Sequence, residues 1–245
     1  MNRLAVFILV VCLGTTPSFA QQLERETPPA GEPKAQPYLA DAVDYRTVLA
    51  PPPRVGSIED DADRHSVEAW QKASAERRQL ATLDEQLVFP RFEDAFGHAI
   101  DRKSSPALIK LLNRAMRDVG ATAFPAKDHY QRPRPFQRIQ LQHACGNEPP
   151  PKPEANPTRG TSYPSGHSSA GWAVAMILAR VAPERAEAIM ARGTDYADSR
   201  VICGRHFPSD VEAGHTVAAA VIARLDASPE FQKDLAEARA ELDKR

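Results

Sequence analysis

The chain has 245 residues, of which 42% are hydrophobic and 26% are charged, so it can bury an ordinary core in one domain with an arm. Its formal net charge is −1, and removal of residues 1–20, which hold one arginine and no acidic residue, brings that charge to −2. This balance argues against binding to nucleic acid polymers or to an anionic membrane surface.

The first twenty residues have the pattern of a cleaved export signal. Arg3 supplies a positive start, residues 4–13 form a short apolar run, and residues 18–20 (Ser-Phe-Ala) are a small-x-small cleavage site. A membrane anchor is the alternative, but ten apolar residues are too few to span a bilayer. A lipoprotein would use Cys12, although the residue before it is bulky. We predict cleavage after Ala20, a periplasmic location and no membrane insertion of the mature chain.

The mature chain would keep two cysteines, Cys145 and Cys203. An even cysteine count in an exported protein favours a disulfide, because that compartment is oxidising. Two buried free thiols are the alternative. Two isolated cysteines do not have the spacing of a zinc site, and we expect no bound metal.

A proline-rich segment precedes the body of the protein. Residues 21–56 are polar and end near Pro51-Pro52-Pro53, which favours an extended arm that packs on the body or on a neighbouring subunit. Residues 57–245 form the predicted helical domain.

The domain is predicted to be all-α, because apolar residues recur at helical spacing and no run of alternating β-branched residues is present. Residues 166–180 are apolar on nearly all sides, which predicts a central buried helix in a multi-helix bundle. Pro183 and Pro208 fit the first turns of helices. The stretch 145–163 is the one long loop. The predicted helical segments are 60–81, 83–97 (interrupted at Pro90), 105–119, 166–180, 183–198, 208–225 and 229–243.

Three short segments contain residue types that suit phosphate ester chemistry. They are Lys127-x6-Arg134-Pro135, Pro164-Ser165-Gly166-His167 and Ser199-Arg200-x5-His206-x3-Asp210. Hydrolysis of such an ester needs neutralisation of charge, an in-line nucleophile and an acid for the leaving oxygen. None of the segments is decisive alone, because a lone arginine is commonly a surface ion pair.

Five residues are candidate phosphate ligands. Lys127, Arg134 and Arg200 supply positive charge, and the planar guanidinium groups match phosphate oxygens. Ser165 and Gly166 precede the most apolar helix, where free N–H groups bind anions. A plain helix cap is the alternative for the serine.

Two histidines and one aspartate are candidate catalytic residues. His206 and Asp210 are four positions apart, which on a helix places them on one face. The carboxylate would hold one ring nitrogen as N–H and leave the other free to attack phosphorus. A structural His–Asp pair is the alternative. His167 would protonate the leaving oxygen and then activate water, which predicts an optimum below neutrality.

The three segments together resemble the signature of the type-2 phosphatidic acid phosphatase superfamily. All eleven fixed positions match, and the surrounding stretches AKDHYQRPRPF, SYPSGH and SRVICGRHFPSDVEAG resemble the class A bacterial nonspecific acid phosphatases. The resemblance runs from about residue 50 to the C-terminus. It implies an exported, all-helical enzyme that hydrolyses phosphomonoesters broadly, without a cofactor, through a phosphohistidine. It assigns His206, Asp210, His167 and the five ligands the roles given above, and it implies a homo-oligomer.

Other interpretations remain open at this point. A lipid phosphate phosphatase would share the motif but span the membrane, a vanadium-dependent haloperoxidase would bind vanadate at His206, and a phosphate-binding module would need only the cations. Whether phosphotransfer to nucleosides competes with hydrolysis as a side activity is open as well. Among the other histidines, His129 is a candidate for a supporting role, His215 is assigned to structure, and the remaining three, His65, His98 and His143, are assigned no role.

Overall fold

The computed structural model describes residues 35–86, 88–145, 150–154 and 160–244. These residues form helices joined by turns and loops, and they contain no strand, which confirms the predicted all-α class. The predicted signal peptide, the arm up to residue 34 and parts of the 145–163 loop lie outside the described residues. None of the described helices is both long and apolar enough to cross a membrane.

Most of the helices are joined by short connections, two of which contain 3-10 turns, at Phe89–Phe92 and Pro183–Arg185. The long connection runs from Arg138 to Gly166. The helices are α1 (Tyr45–Val48), α2 (Ile58–Trp70), α3 (Ala75–Leu83), α4 (Glu93–Phe96), α5 (Pro106–Tyr130), α6 (Pro135–Arg138), α7 (Gly166–Val181), α8 (Ala186–Ile202), α9 (Pro208–Leu225) and α10 (Pro229–Leu242).

Helix α7 is the centre of the bundle, as its apolar composition predicted. It packs against α5, α8 and α9, and its residues Val174, Ile177 and Leu178 are fully buried. Helix α8 approaches closely at Gly171, where an added Cβ would lie 2.3 Å from the Tyr196 ring. This packing brings the start of α7 and the end of α8 to the same end of the bundle.

Four predicted helical segments differ from the structure. The segment predicted for 83–97 contains the 3-10 turn Phe89–Phe92 and the short helix α4, and the one predicted for 183–198 begins as a 3-10 turn and continues to Ile202. The single segment predicted for 60–81 is two helices, because Ser74 starts a new helix by accepting a hydrogen bond from the Arg77 N–H. The helix predicted for 105–119 continues to Tyr130, through Pro125. The buried residues Ala123 and Ala126 extend its apolar stripe, so packing against the bundle outweighs the lost backbone hydrogen bond. Pro183 and Pro208 occupy first-turn positions, as predicted.

The described part of the arm, from residue 35, packs on the body. The Tyr38 hydroxyl donates to Asp234 at 2.7 Å, and the Tyr38 N–H donates to Asp118 at 2.9 Å. Val43 and Leu49 are buried in the main core, and α1 interrupts the otherwise extended chain. The arm therefore covers α5 and α10, and the predicted domain boundary at residue 57 stays a prediction.

Candidate active site

The three sequence segments meet at one cleft of about 690 Å³. Five of the predicted site residues line its wall, and Ser165, Arg200 and Asp210 are buried close behind it. The five lining residues come from four places in the fold. Lys127 lies in the last turn of α5, Arg134 directly before α6, Gly166 and His167 at the start of α7, and His206 in the turn before α9.

Two cations in the cleft bind backbone and hydroxyl oxygens instead of carboxylates. Lys127 Nζ donates to the Thr161 carbonyl at 2.6 Å. Arg134 donates to the Thr161 hydroxyl at 3.1 Å and to the Arg205 carbonyl at 3.1 Å. Burial and the nearby Arg134 lower the pKa of Lys127 to about 8. No carboxylate among the described residues forms a direct ion pair with either cation, so both can turn to an anion that enters the cleft.

Arg200 is the most buried of the three predicted cations, with 4% of its surface exposed. Its Nη2 atom lies 3.4 Å from the Glu85 carboxylate, while its Nε and Nη1 atoms have no hydrogen-bond partner in the described part of the chain. Burial lowers the pKa of this guanidinium. Buried donors without partners are costly, so two free N–H groups here favour a bound anion.

The start of α7 is capped by Ser165. Its hydroxyl accepts hydrogen bonds from the Ser168 N–H at 3.2 Å and from the Ser168 hydroxyl at 2.8 Å. Because a hydroxyl also carries one proton, Ser165 can still donate one hydrogen bond. A Cβ at Gly166 would lie 3.4 Å from the Lys127 side chain, so the helix start closely approaches the first cation.

His206 is oriented differently from the sequence prediction. It lies in the turn before α9 and not on a shared helix face with Asp210, whose carboxylate is 3.7 Å from Nδ1. The nearer partner of Nδ1 is the Ser162 carbonyl, at 2.8 Å. A carbonyl only accepts, so Nδ1 carries the proton, and the unprotonated Nε2 accepts a hydrogen bond from Arg134 Nη1 at 3.3 Å.

Asp210 stabilises this turn from beneath. Its carboxylate accepts from the Ser162 hydroxyl at 2.6 Å and from the Phe207 N–H at 2.8 Å. Burial raises the pKa of Asp210, but contacts with His206 and Arg132 outweigh burial and lower that pKa to about 2. The aspartate is therefore an anion next to His206 throughout the acid range.

Burial keeps both candidate histidines neutral in the free site. His206 is 2% exposed, and burial lowers its pKa to about 3 despite the nearby Asp210. Burial and Arg200 lower the pKa of His167 to about 3 as well, against a hydrogen bond from the ring to the Glu85 backbone. A neutral ring suits a nucleophile at acid pH, whereas a proton donor needs a charge that this free site disfavours.

Proteins with similar sequences include bacterial acid phosphatases. The PAP2 superfamily profile matches residues 108–229. A non-specific acid phosphatase of Providencia stuartii is 37% identical over 228 residues, which cover 89% of this chain and 90% of that protein. The chain belongs to the PAP2 superfamily. An acid phosphatase of Zymomonas mobilis is 36% identical over 80% of this chain and 74% of its own length. A non-specific acid phosphatase of Salmonella typhimurium is 35% identical, with 82% and 81% covered. Within the superfamily, the chain is a class A nonspecific acid phosphatase.

The cysteines of this PAP2 chain lie beside the turn that carries His206. The Cys145 and Cys203 sulfur atoms are 1.98 Å apart, which is bonding distance. Arg205 donates to the Cys145 carbonyl at 3.1 Å, and its neighbour His206 faces the cleft. In the described ranges, no group of three or more His, Cys, Asp or Glu side chains is placed to hold a metal ion.

Two residues missed by the sequence analysis lie immediately before the second segment. Thr161 binds both Lys127 and Arg134, and Ser162 binds His206 and Asp210. Their polar character next to Tyr163-Pro164 was the available signal.

Glu85 was also missed. It contacts Arg200 and Arg205, which lie more than 100 positions later in the chain, and nothing in the local sequence marks this carboxylate.

The remaining histidines lie outside the cleft wall. His129 packs against Tyr45 and Tyr130, so the contacts of its ring do not support the proposed supporting role. His215 stacks on Trp172 with ring centroids 4.2 Å apart, in agreement with a structural assignment.

Sulfate is expected to raise the pKa of His167, because a dianion beside the ring offsets the positive charge of Arg200 and Arg134. Protonation and sulfate binding then favour each other, so sulfate affinity should increase as pH falls from about 8 to about 4. Sulfate remains a dianion over this range. NMR titration of the His167 ring, assigned through its loss in His167→Gln, measures the shift.

The matched control in that titration is His215. Burial lowers its pKa as well, but it stacks on Trp172 away from the cleft, so sulfate should leave its pKa unchanged. A His167 pKa that stays the same at saturating sulfate would contradict the coupling.

Proposed function

We propose that this protein hydrolyses phosphate monoesters at acid pH, without a metal, through a phosphohistidine on His206. The observation that carries the proposal is the unprotonated Nε2 atom of a neutral imidazole. It is directed into a cleft in which Lys127 and Arg134 have no carboxylate partner among the described residues. Membership of the acid phosphatase family supports the same chemistry.

The oxygens of the substrate phosphoryl group replace the protein oxygens that the cations bind in the free site. Lys127 and Arg134 turn from the Thr161 oxygens to phosphate oxygens, and Arg200 offers its two unpartnered N–H groups. The N-terminal end of α7 adds backbone N–H groups at Gly166. Together these donors neutralise charge on the phosphate before and during the transfer.

In the first step, His206 Nε2 attacks phosphorus and forms an N–P bond while the P–O bond to the alcohol breaks. His167 gives its ring proton to the departing oxygen, so the alcohol leaves neutral. The Ser162 carbonyl holds the Nδ1 proton throughout, and the Asp210 anion stabilises the positive charge that develops on the phosphorylated ring.

In the second step, water attacks the phosphohistidine. His167 accepts a proton from that water, the N–P bond breaks, and inorganic phosphate and neutral His206 are restored. An alcohol in place of water would give phosphotransfer as a side activity.

An acid optimum follows from the charges of these groups. His206 keeps its lone pair at acid pH because its pKa is lowered to about 3. His167 gains its proton once a substrate dianion is bound, and lower pH favours that protonation.

Broad specificity follows from the outer wall of the cleft. The 63%-exposed side chain of Phe124, together with Val88 and Ala170, offers general apolar contact for the alcohol portion of a substrate, with Gln86 and Asp128 beside them. Small phosphomonoesters of varied alcohols therefore fit as substrates.

Export completes the proposal. We place the mature protein in the periplasm after cleavage behind Ala20, with Cys145 and Cys203 joined as a disulfide in that oxidising compartment. Assembly as a homo-oligomer remains part of the proposal through the family resemblance.

His206→Ala is expected to lower kcat for p-nitrophenyl phosphate at least about 1000-fold, because no other described imidazole replaces its Nε2 in the cleft. The matched control is His65→Ala, which removes an exposed histidine on α2 and should keep wild-type kcat. The proposal fails if His206→Ala retains normal activity in a correctly folded protein.

Treatment with excess EDTA is expected to leave kcat/KM for p-nitrophenyl phosphate within about twofold, because protein cations neutralise the phosphate here. Steady-state assays on enzyme dialysed against EDTA measure this. Loss of activity that added divalent cations restore would overturn metal independence while leaving the nucleophile to be tested separately.

A further inference from the structure

Arg132 is a buried guanidinium close to the proposed nucleophile, but it does not line the cleft. It is 5% exposed, and its Nη1 donates to Asp210 Oδ1 at 2.6 Å and to the Ser209 hydroxyl at 2.7 Å. Its Nη2 donates to Asp63 at 2.8 Å. Its guanidinium carbon also lies 4.3 Å from the centre of the Phe207 ring.

These contacts divide the two oxygens of the Asp210 carboxylate between separate partners. Oδ1 accepts a hydrogen bond from Arg132, whereas Oδ2 accepts from the Ser162 hydroxyl and the Phe207 N–H. Oδ2 is the oxygen nearest His206. Rotation of the carboxylate would break hydrogen bonds on both sides. Arg132 on one oxygen, with Ser162 and Phe207 on the other, therefore holds the carboxylate in the orientation that faces the imidazole.

We propose that Arg132 is a positioning residue for the nucleophile, which clamps the ionised Asp210 carboxylate against the His206 turn and ties it to Asp63 of α2. This inference rests on the proposed function, since it assumes that His206 is the group that attacks phosphorus. Arg132 touches neither the substrate nor the reacting atoms.

The positive charge of Arg132 lowers the pKa of Asp210 and so keeps this carboxylate ionised at acid pH. Asp210 is fully buried, and burial by itself favours the protonated carboxyl. A protonated Asp210 would no longer stabilise positive charge on His206. The charged and titratable groups that influence Asp210 from the surrounding elements are Arg132, His206, Lys127, Arg134 and Tyr163, with Asp63 and Asp60 on the far side of Arg132.

Arg138 provides a matched control in the same part of the fold. Its side chain is 9% exposed, and it donates two 2.7 Å hydrogen bonds to Asp60 of α2, which also lies 3.6 Å from Arg132. It lies over the same Phe207 ring at 5.4 Å. Its hydrogen bonds go to Asp60 and not to Asp210. A role in stability alone should therefore make Arg132 and Arg138 respond alike to substitution.

The first test compares Arg132→Lys with Arg138→Lys. Lysine keeps the charge but has no planar fork to bridge Asp210 and Asp63, so R132K should lower kcat for p-nitrophenyl phosphate at least about tenfold. The Ki of inorganic phosphate should change less than about threefold, because the phosphate ligands are intact. R138K should leave kcat within about threefold of wild type. Equal kcat values in R132K and R138K would overturn the positioning role.

The second test removes the charge, in Arg132→Gln and Arg138→Gln. The acid limb of the kcat/KM profile should move to higher pH by about one unit in R132Q, because the pKa of Asp210 rises toward its ordinary range. R138Q should leave the acid limb in place. A wild-type acid limb in R132Q would overturn the electrostatic part. If the glutamine variants do not fold, the lysine pair alone decides the proposal.

His206→Ala is assayed alongside both pairs to separate this inference from the proposed function. An active H206A would mean that the proposed function has failed. An inactive H206A together with R132K behaving as R138K would mean that the Arg132 inference alone has failed.

Discussion

Positive charge held without matching carboxylates is the constraint on which this site depends. Lys127 and Arg134 bind carbonyl and hydroxyl oxygens, and Arg134 also donates to His206 Nε2. Arg200 contacts Glu85 through a single nitrogen. Burial makes such charge unfavourable, and it lowers the pKa of all three side chains. The bundle around α7 supplies the rigidity that keeps these groups together, and a bound phosphate relieves the repulsion between them.

The two histidines meet that field in different ways. The Ser162 carbonyl accepts the Nδ1 proton of His206, and Asp210 lies behind the ring. The Nε2 atom therefore remains unprotonated and directed into the cleft. His167 has its pKa lowered by burial and by Arg200, so its protonation depends on what occupies the cleft. The same buried positive charge thus keeps His206, the proposed nucleophile, neutral, and makes protonation of His167, the proposed acid, depend on the anion in the cleft. In the proposed role of Arg132, its contact with Asp210 keeps that carboxylate charged under acid conditions.

The sequence was sufficient to predict the helical class, the central helix and the three segments that meet in the cleft. These features depend on apolar periodicity and on local residue types, which are visible along the chain. The extension of α5 to Tyr130 was not visible, because packing overrides the proline within it. The Ser162 contact and the part of Glu85 were missed for a related reason, since both join residues far apart in sequence. Helical spacing suggested a direct His206–Asp210 pair, whereas a turn separates them.

The most direct test of the account is to identify the covalent intermediate. Wild-type enzyme turning over p-nitrophenyl phosphate is quenched in alkali, where phosphohistidine survives, and digested for mass spectrometry. We expect one phosphoryl group on the peptide that contains His206, localised to that ring and absent from unreacted enzyme. A phosphoryl group on another residue, or no phosphorylated peptide under quenching conditions that preserve a phosphohistidine standard, would contradict it.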